Sequence, residues 1–178
     1  LALAKAIANS PQTILGYICY FERRHITGVN EAGIPIQLAR LKPSALSQVF
    51  DSIELQVGDS FVIRTEPAQD FDMEQLLHGS EILAVQAPLK ILADATKNFG
   101  YFNANPDPDG PIRQLPLFYK YNNELYPALA LKAASLYFDY SIQPVKGYIL
   151  PNTLSGADFG GERAVPTTDN GTQLINFY

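Results

Sequence analysis

Residues Gly100–Leu117 read GYFNANPDPDGPIRQLPL, a dense turn signal set between two apolar runs. Tyr101 and Phe102 favour a strand, and Asn105-Pro106-Asp107-Pro108-Asp109-Gly110 supplies the residue types that turns require. Ile112 to Tyr119 then returns as a second extended run. The stretch predicts a long β-hairpin around residues 98–119, and so a sheet in this half of the chain. Immediately after it, Pro127 reads as the first-turn proline of a helix reaching Phe138, where its missing N–H costs little. Leu129, Ala133 and Leu136 are expected on the face that packs on the sheet, with Lys132, Ser135 and Asp139 on another.

Working outward, Leu1 to Ala8 is rich in Ala and Leu and predicts a helix that stops near Asn9-Ser10-Pro11. Thr13 to Phe21, TILGYICYF, is a continuous apolar run, the pattern of a strand covered on both faces. A helix leading into such a strand points to an α/β architecture. Glu22 to Ser80 is less regular. Lys42-Pro43 opens a short helix through Phe50, Ile53 to Arg64 is strand-like around Gly58, and Asp72 to Leu77 suggests a helix. Glu81 to Val85 reads as a strand, and Pro88 to Asn98 as a helix with an apolar stripe of Leu89, Leu92 and Ala93. Ser141 to Leu150 predicts a strand and Pro151 to Glu162 a loop. Asn170-Gly171 is a two-residue hairpin signal between Ala164-Val165 and Leu174-Ile175. The expected fold class is α/β, a central mixed sheet flanked by helices.

The chain has 178 residues, 47% of them hydrophobic, enough for one packed core and short for two. A net charge of -5 with 17% charged residues disfavours nucleic acid and anionic membrane surfaces as partners. The single cysteine, Cys19, lies inside an apolar run, so no intrachain disulfide forms and the thiol is expected to be inert. No run reaches the ~18 apolar residues that a membrane-spanning helix needs.

Candidate sites are few. Asn105, Asp107, Asp109 and Gly110 imitate the first half of a helix-loop-helix calcium loop, but the closing position falls on Pro116, where that loop needs a carboxylate. The acidic residues are therefore read as turn formers, with Gly110 supplying a positive φ, and no metal is expected. Arg113 is placed to reach back to Asp107 or Asp109; recognition of an anionic ligand is the alternative. Arg23, Arg24 and His25 form the compact basic cluster, read as a solvated strand end or as a ligand or pH-sensing site. His78 stands among acidic residues with no ligand set that sequence can establish. No G-x-S-x-G is present, and GADFGG lacks the spacing of a dinucleotide or phosphate loop. No catalytic residue and no cofactor are assigned.

The order G-Y-F-N, P-D-P-D-G, R-Q-L-P-L, Y-P-A-L-A-L-K-A-A and V-P-T-T-D-N-G-T-Q-L-I-N-F-Y resembles the CHASE type-two family, the cyclase- and histidine-kinase-associated sensing extracellular domains. The resemblance is clearest over Pro88 to Tyr178 and extends loosely to the opening helix and LGYICYF. It places Gly100, Asn103, Asp107, Asp109, Gly110, Arg113, Pro116 and Pro127 on the family's motif, where a structural role is expected. It implies one sensor domain over 1–178, a fragment of a larger membrane receptor, outside the cytoplasmic membrane, with a cyclase or kinase as output. It also implies that an anchor and a further strand-helix-strand portion precede Leu1, which would leave sheet edges free to pair in a homodimer. Its signal is expected to be an unknown small molecule or environmental cue, and contact with the membrane to run through other parts of the parent protein. Two alternatives stand beside it: a soluble hydrolase-like enzyme using the acidic turn, and a structural dimerisation domain.

Overall fold

The computed structural model describes residues 1–22, 38, 40–57, 60–69, 81–121, 123–146, 154–158, 164–168 and 172–174. The fold is α/β. Helix α1 (Ala2–Ala8) leads into strand β1 (Leu15–Tyr20), the centre of a three-stranded sheet. On one side β1 pairs antiparallel with β4 (Ala84–Gln86), and on the other parallel with β5 (Phe99–Tyr101). Tyr17 and Cys19 are buried while Gly16, Ile18 and Tyr20 are half-buried, so the apolar run covers one face fully and the other only in part. Helix α2 (Lys90–Ala93) connects β4 to β5 beside α1, and α3 (Leu129–Phe138) packs on β5.

A second, five-stranded sheet has the order β11-β10-β9-β2-β3. Its strands are β2 (Phe50–Val57), β3 (Ser60–Pro67), β9 (Gln143–Lys146), β10 (Leu154–Asp158) and β11 (Ala164–Pro166). The irregular stretch around Gly58 is a hairpin, β2 against β3, in register from Phe50↔Pro67 to Val57↔Ser60. β10 occupies residues expected to be loop; it pairs with strands on both sides, and that partnership is invisible in its own composition. Lys42–Ser44 is a single 3-10 turn rather than a helix to Phe50, where β2 already begins.

The expected 98–119 hairpin does not form. β5 pairs with β1, whereas β6 (Gln114–Pro116) pairs with β12 (Thr172–Leu174). Pro106, Pro108 and Pro111 lack ladder donors, and the outgoing chain stays on β1, with Phe102 N donating to Tyr17 O at 3.1 Å. The hairpin of this region comes later, between β7 (Phe118–Tyr121) and β8 (Glu124–Pro127), in register to Tyr121↔Glu124. Between those runs the sequence carries Asn122-Asn123, a residue type common in turns.

Pro127 therefore ends β8, opposite Phe118, and the helix starts two residues later with Ala128 as its extended N-cap. The buried face of α3 carries Leu131 and Ser135, and Ala133 is exposed. The N-terminal seat of the helix against β5 sets its rotation, which the apolar spacing left ambiguous. α2 is a single turn with only Ala93 buried; Leu89 is 72% exposed. Ala164-Val165 and Leu174 fall in different sheets rather than one hairpin. The Asn170-Gly171 signal, the Asp72–Leu77 helix and His78 lie outside the described residues.

The core joins the three-stranded sheet to the β7–β8 ribbon through aromatic side chains. Tyr101 stacks on Tyr119 with centroids 4.1 Å apart, while Tyr17 meets Tyr101 and Phe21 meets Tyr119 edge-on. Such pairs contribute about 0.5–1.5 kcal/mol each beyond the area they bury. Tyr101 donates its hydroxyl to Pro116 O at 2.6 Å, tying β6 to β5 without a strand ladder.

Candidate functional site

The acidic turn is closed by its own backbone and by one cation. Gly110 N donates to Asp107 O and Asp107 N to Pro111 O, both at 2.8 Å, with Gly110 at φ 101°. The Arg113 guanidinium donates to both oxygens of Asp109, at 2.7 and 2.8 Å, and to Asp107 Oδ2 at 3.0 Å. That fork holds the Asp109 carboxyl below the usual carboxylate range and raises the Arg113 pKa. With both carboxylates turned to Arg113 and the loop exposed, the turn presents neither a charged pair free for acid–base work nor a free cation. Among the described residues no group of three or more His, Cys, Asp or Glu is placed to hold a metal.

Of the remaining motif residues, Gly100 and Asn103 sit where β1, β5 and α3 meet, whereas Pro116 lies in β6, where it accepts from the Tyr101 hydroxyl, and Pro127 ends β8. A Cβ added to Gly100 would lie 2.5 Å from Leu129 Cα and 2.8 Å from Leu129 N, so the first turn of α3 rests directly on the β5 backbone. Asn103 extends the sheet by one rung where β5 has ended. Its Oδ1 accepts from Cys19 N and its Nδ2 donates to Cys19 O, both at 2.8 Å. Cys19 beneath this clamp is buried, and burial pushes its thiol pKa up, away from reactivity. Arg23, Arg24 and His25 lie outside the described residues.

Sequence reasoning missed a cleft of about 290 Å3 beside α3. One wall is the helix face bearing Lys132, Ser135 and Leu136, and the other is the turn through Ser44, Ala45 and Leu46. Ser44 is locked by donating to Lys97 O and accepting from Phe99 N, both at 2.8 Å. Ser135 Oγ donates to Tyr140 O at 2.6 Å, and Asp139 closes the helix in the left-handed conformation. Lys132 is half-buried and makes no ion pair among the described residues; desolvation lowers its pKa. The sequence placed Lys132 and Ser135 on one face but gave no sign that this face looks into a concavity. Two further clefts open at the ends of β1 and β5, beside Phe21 and Asn105, and between α1 and the segment after α2.

A family model for the CHASE2 domain matches residues 1–178, the full length of the chain. The chain belongs to the CHASE2 domain family. CHASE2 domains are extracytoplasmic sensory domains, carried on the extracellular or periplasmic side of membrane receptors, and the family is sensory rather than catalytic. No curated protein and no solved structure matches the chain. Among the described residues no helix is long and apolar enough to cross a membrane. For a CHASE2 domain the useful geometry is therefore a concave surface that a ligand or a partner could occupy, and the α3 cleft combines a cation without an ion pair among the described residues with apolar walls.

Proposed function

We propose that this CHASE2 domain is the input domain of a bacterial transmembrane receptor with a nucleotide cyclase or a protein kinase as its cytoplasmic output. In this reading it binds its signal without turning it over. The single observation that carries the reading is the family match across the whole chain. The pairing of both turn carboxylates with Arg113 supports a recognition role over hydrolysis by the acidic turn.

Signalling requires two states that the signal stabilises unequally, since a ligand that binds both alike shifts nothing. A homodimer whose subunits rearrange is the simplest such pair of states. The test is made on the intact receptor encoded by the full reading frame. Reporter fusions within the domain should be active only outside the cytoplasm, and replacing the domain with an unrelated extracytoplasmic domain should uncouple output from growth conditions. A cytoplasmic fusion signal, or output regulation untouched by the replacement, would overturn the proposal.

A further inference from the structure

We propose that the cleft beside α3 binds a small monocarboxylate with a short apolar body. This deepens the sensory role above, naming its ligand class, and rests on that role only for its meaning in the cell. Lys132 carries the argument. It projects from the middle of α3, half-buried and without an ion-pair partner among the described residues, and it lines the cleft with Ser135 and Leu136 three and four residues on. Spacings of three and four put all three on one helical face. An ammonium stripped of part of its water attracts an anion more strongly than an exposed one does.

The walls define the rest of the ligand. Ala45, Leu46 and Leu136 offer apolar surface, as does Ile142, which is 5% exposed. The hydroxyls of Ser44 and Ser135 already donate to backbone carbonyls, which leaves the charge of Lys132 as the main polar anchor. Asp139, the left-handed residue that closes α3, also lines the cleft but forms no ion pair with Lys132. It is exposed, and with one cation and one carboxylate among the described residues on its walls the cleft offers no partner for a second negative charge. Dicarboxylates and phosphates are thereby disfavoured.

The wall opposite the helix is preformed. Leu46 and Leu125 exchange two backbone hydrogen bonds of 2.8 Å, and Ser44 is fixed as described above. A volume of about 290 Å3 sits at the small end of ligand sites, which span about 300–1,000 Å3. A small acid with a short apolar body fits within it.

The experiment is calorimetric titration of the 178-residue chain with isovalerate, alongside the neutral alcohol of the same carbon skeleton, 3-methylbutan-1-ol, succinate and inorganic phosphate. Isovalerate should bind in the millimolar range or tighter, with each of the others at least about tenfold weaker, a difference of about 1.4 kcal/mol. Lys132→Met should weaken isovalerate by at least about tenfold without lowering the melting temperature, because it removes a desolvated charge. Leu136→Trp, which fills the cleft from a half-buried position, should abolish binding in a protein that still melts cooperatively. No binding at about 10 mM isovalerate, equal binding of the alcohol, tighter binding of succinate or phosphate, or full affinity in Lys132→Met overturns the proposal. The receptor fusions and domain replacement use no added ligand. Failure of isovalerate with those results intact removes only the ligand class, whereas failure of those results with isovalerate bound removes the sensory role.

Discussion

Replacing Gly100 by alanine should cost far more than a methyl group normally does, because the new Cβ would sit 2.5 Å from Leu129 Cα and 2.8 Å from Leu129 N. Those are backbone atoms at the start of α3, so no rotamer change relieves the overlap; the helix end must move by about 1 Å. That movement strains the Ala128 N to Leu117 O hydrogen bond of 2.9 Å and the packing of buried Leu131. Overpacking costs about 1–3 kcal/mol and a weakened hydrogen bond about 1 kcal/mol. Restricting the unfolded chain returns about 0.4–1 kcal/mol. The expected net loss is about 2–3 kcal/mol, which at about 2 kcal/mol/M in urea is a midpoint lower by about 1–1.5 M.

Two other glycines serve as controls for this reasoning. Gly16→Ala would also meet close atoms, at 2.7 and 2.9 Å, but they belong to the ring of Phe102, which is 52% exposed and free to swing away; its cost should stay within about 0.5 kcal/mol. Gly110→Ala meets nothing within 4 Å, and only its φ of 101° opposes it, for about 1–2 kcal/mol. Equilibrium urea unfolding of the three variants, followed by circular dichroism, ranks them. Wild-type stability in Gly100→Ala, or a Gly16→Ala loss as large, would refute the claim that the β5–α3 approach is set by backbone contact.

Three further outcomes follow from particular contacts. Asn103→Leu removes both hydrogen bonds to Cys19 and should destabilise by about 2–3 kcal/mol, with faster hydrogen exchange at the Cys19 amide; unchanged exchange would show that the clamp is not formed in solution. Asp109 has a folded pKa below its unfolded value because of Arg113, so its contribution is complete above about pH 4 and fades as pH falls through the folded value. Asp109→Asn should make the acid side of the stability curve slightly flatter, the effect being small because the pair is exposed, and an identical slope in variant and parent would discount the pair. Cys19, buried and with its thiol pKa raised, should resist an aromatic disulfide reagent until the domain opens; rapid modification of the native chain would contradict its placement.

Local features were legible in the sequence wherever local physics decides them. Alanine and leucine before Asn9-Ser10-Pro11 marked α1, the run LGYICYF marked β1, and the spacing after Pro127 marked α3 to within two residues. The linear order of motifs from Gly100 onward carried the family. Strand partners were not legible, because a ladder needs only compatible backbones and the chain does not record which edges meet. Gln114–Pro116 found Thr172–Leu174 rather than Phe99–Tyr101, and Phe50 found Val145. Burial was likewise settled by neighbours: Leu89 stays exposed although its spacing matches a buried stripe, and Lys132 is half-buried although it was placed off the face expected to pack on the sheet. The cleft beside α3 exists because Gly100 lets the helix settle onto β5 while Ser44 pins the opposite wall to Lys97 and Phe99. Contacts between such distant segments arise only when the chain is packed in three dimensions.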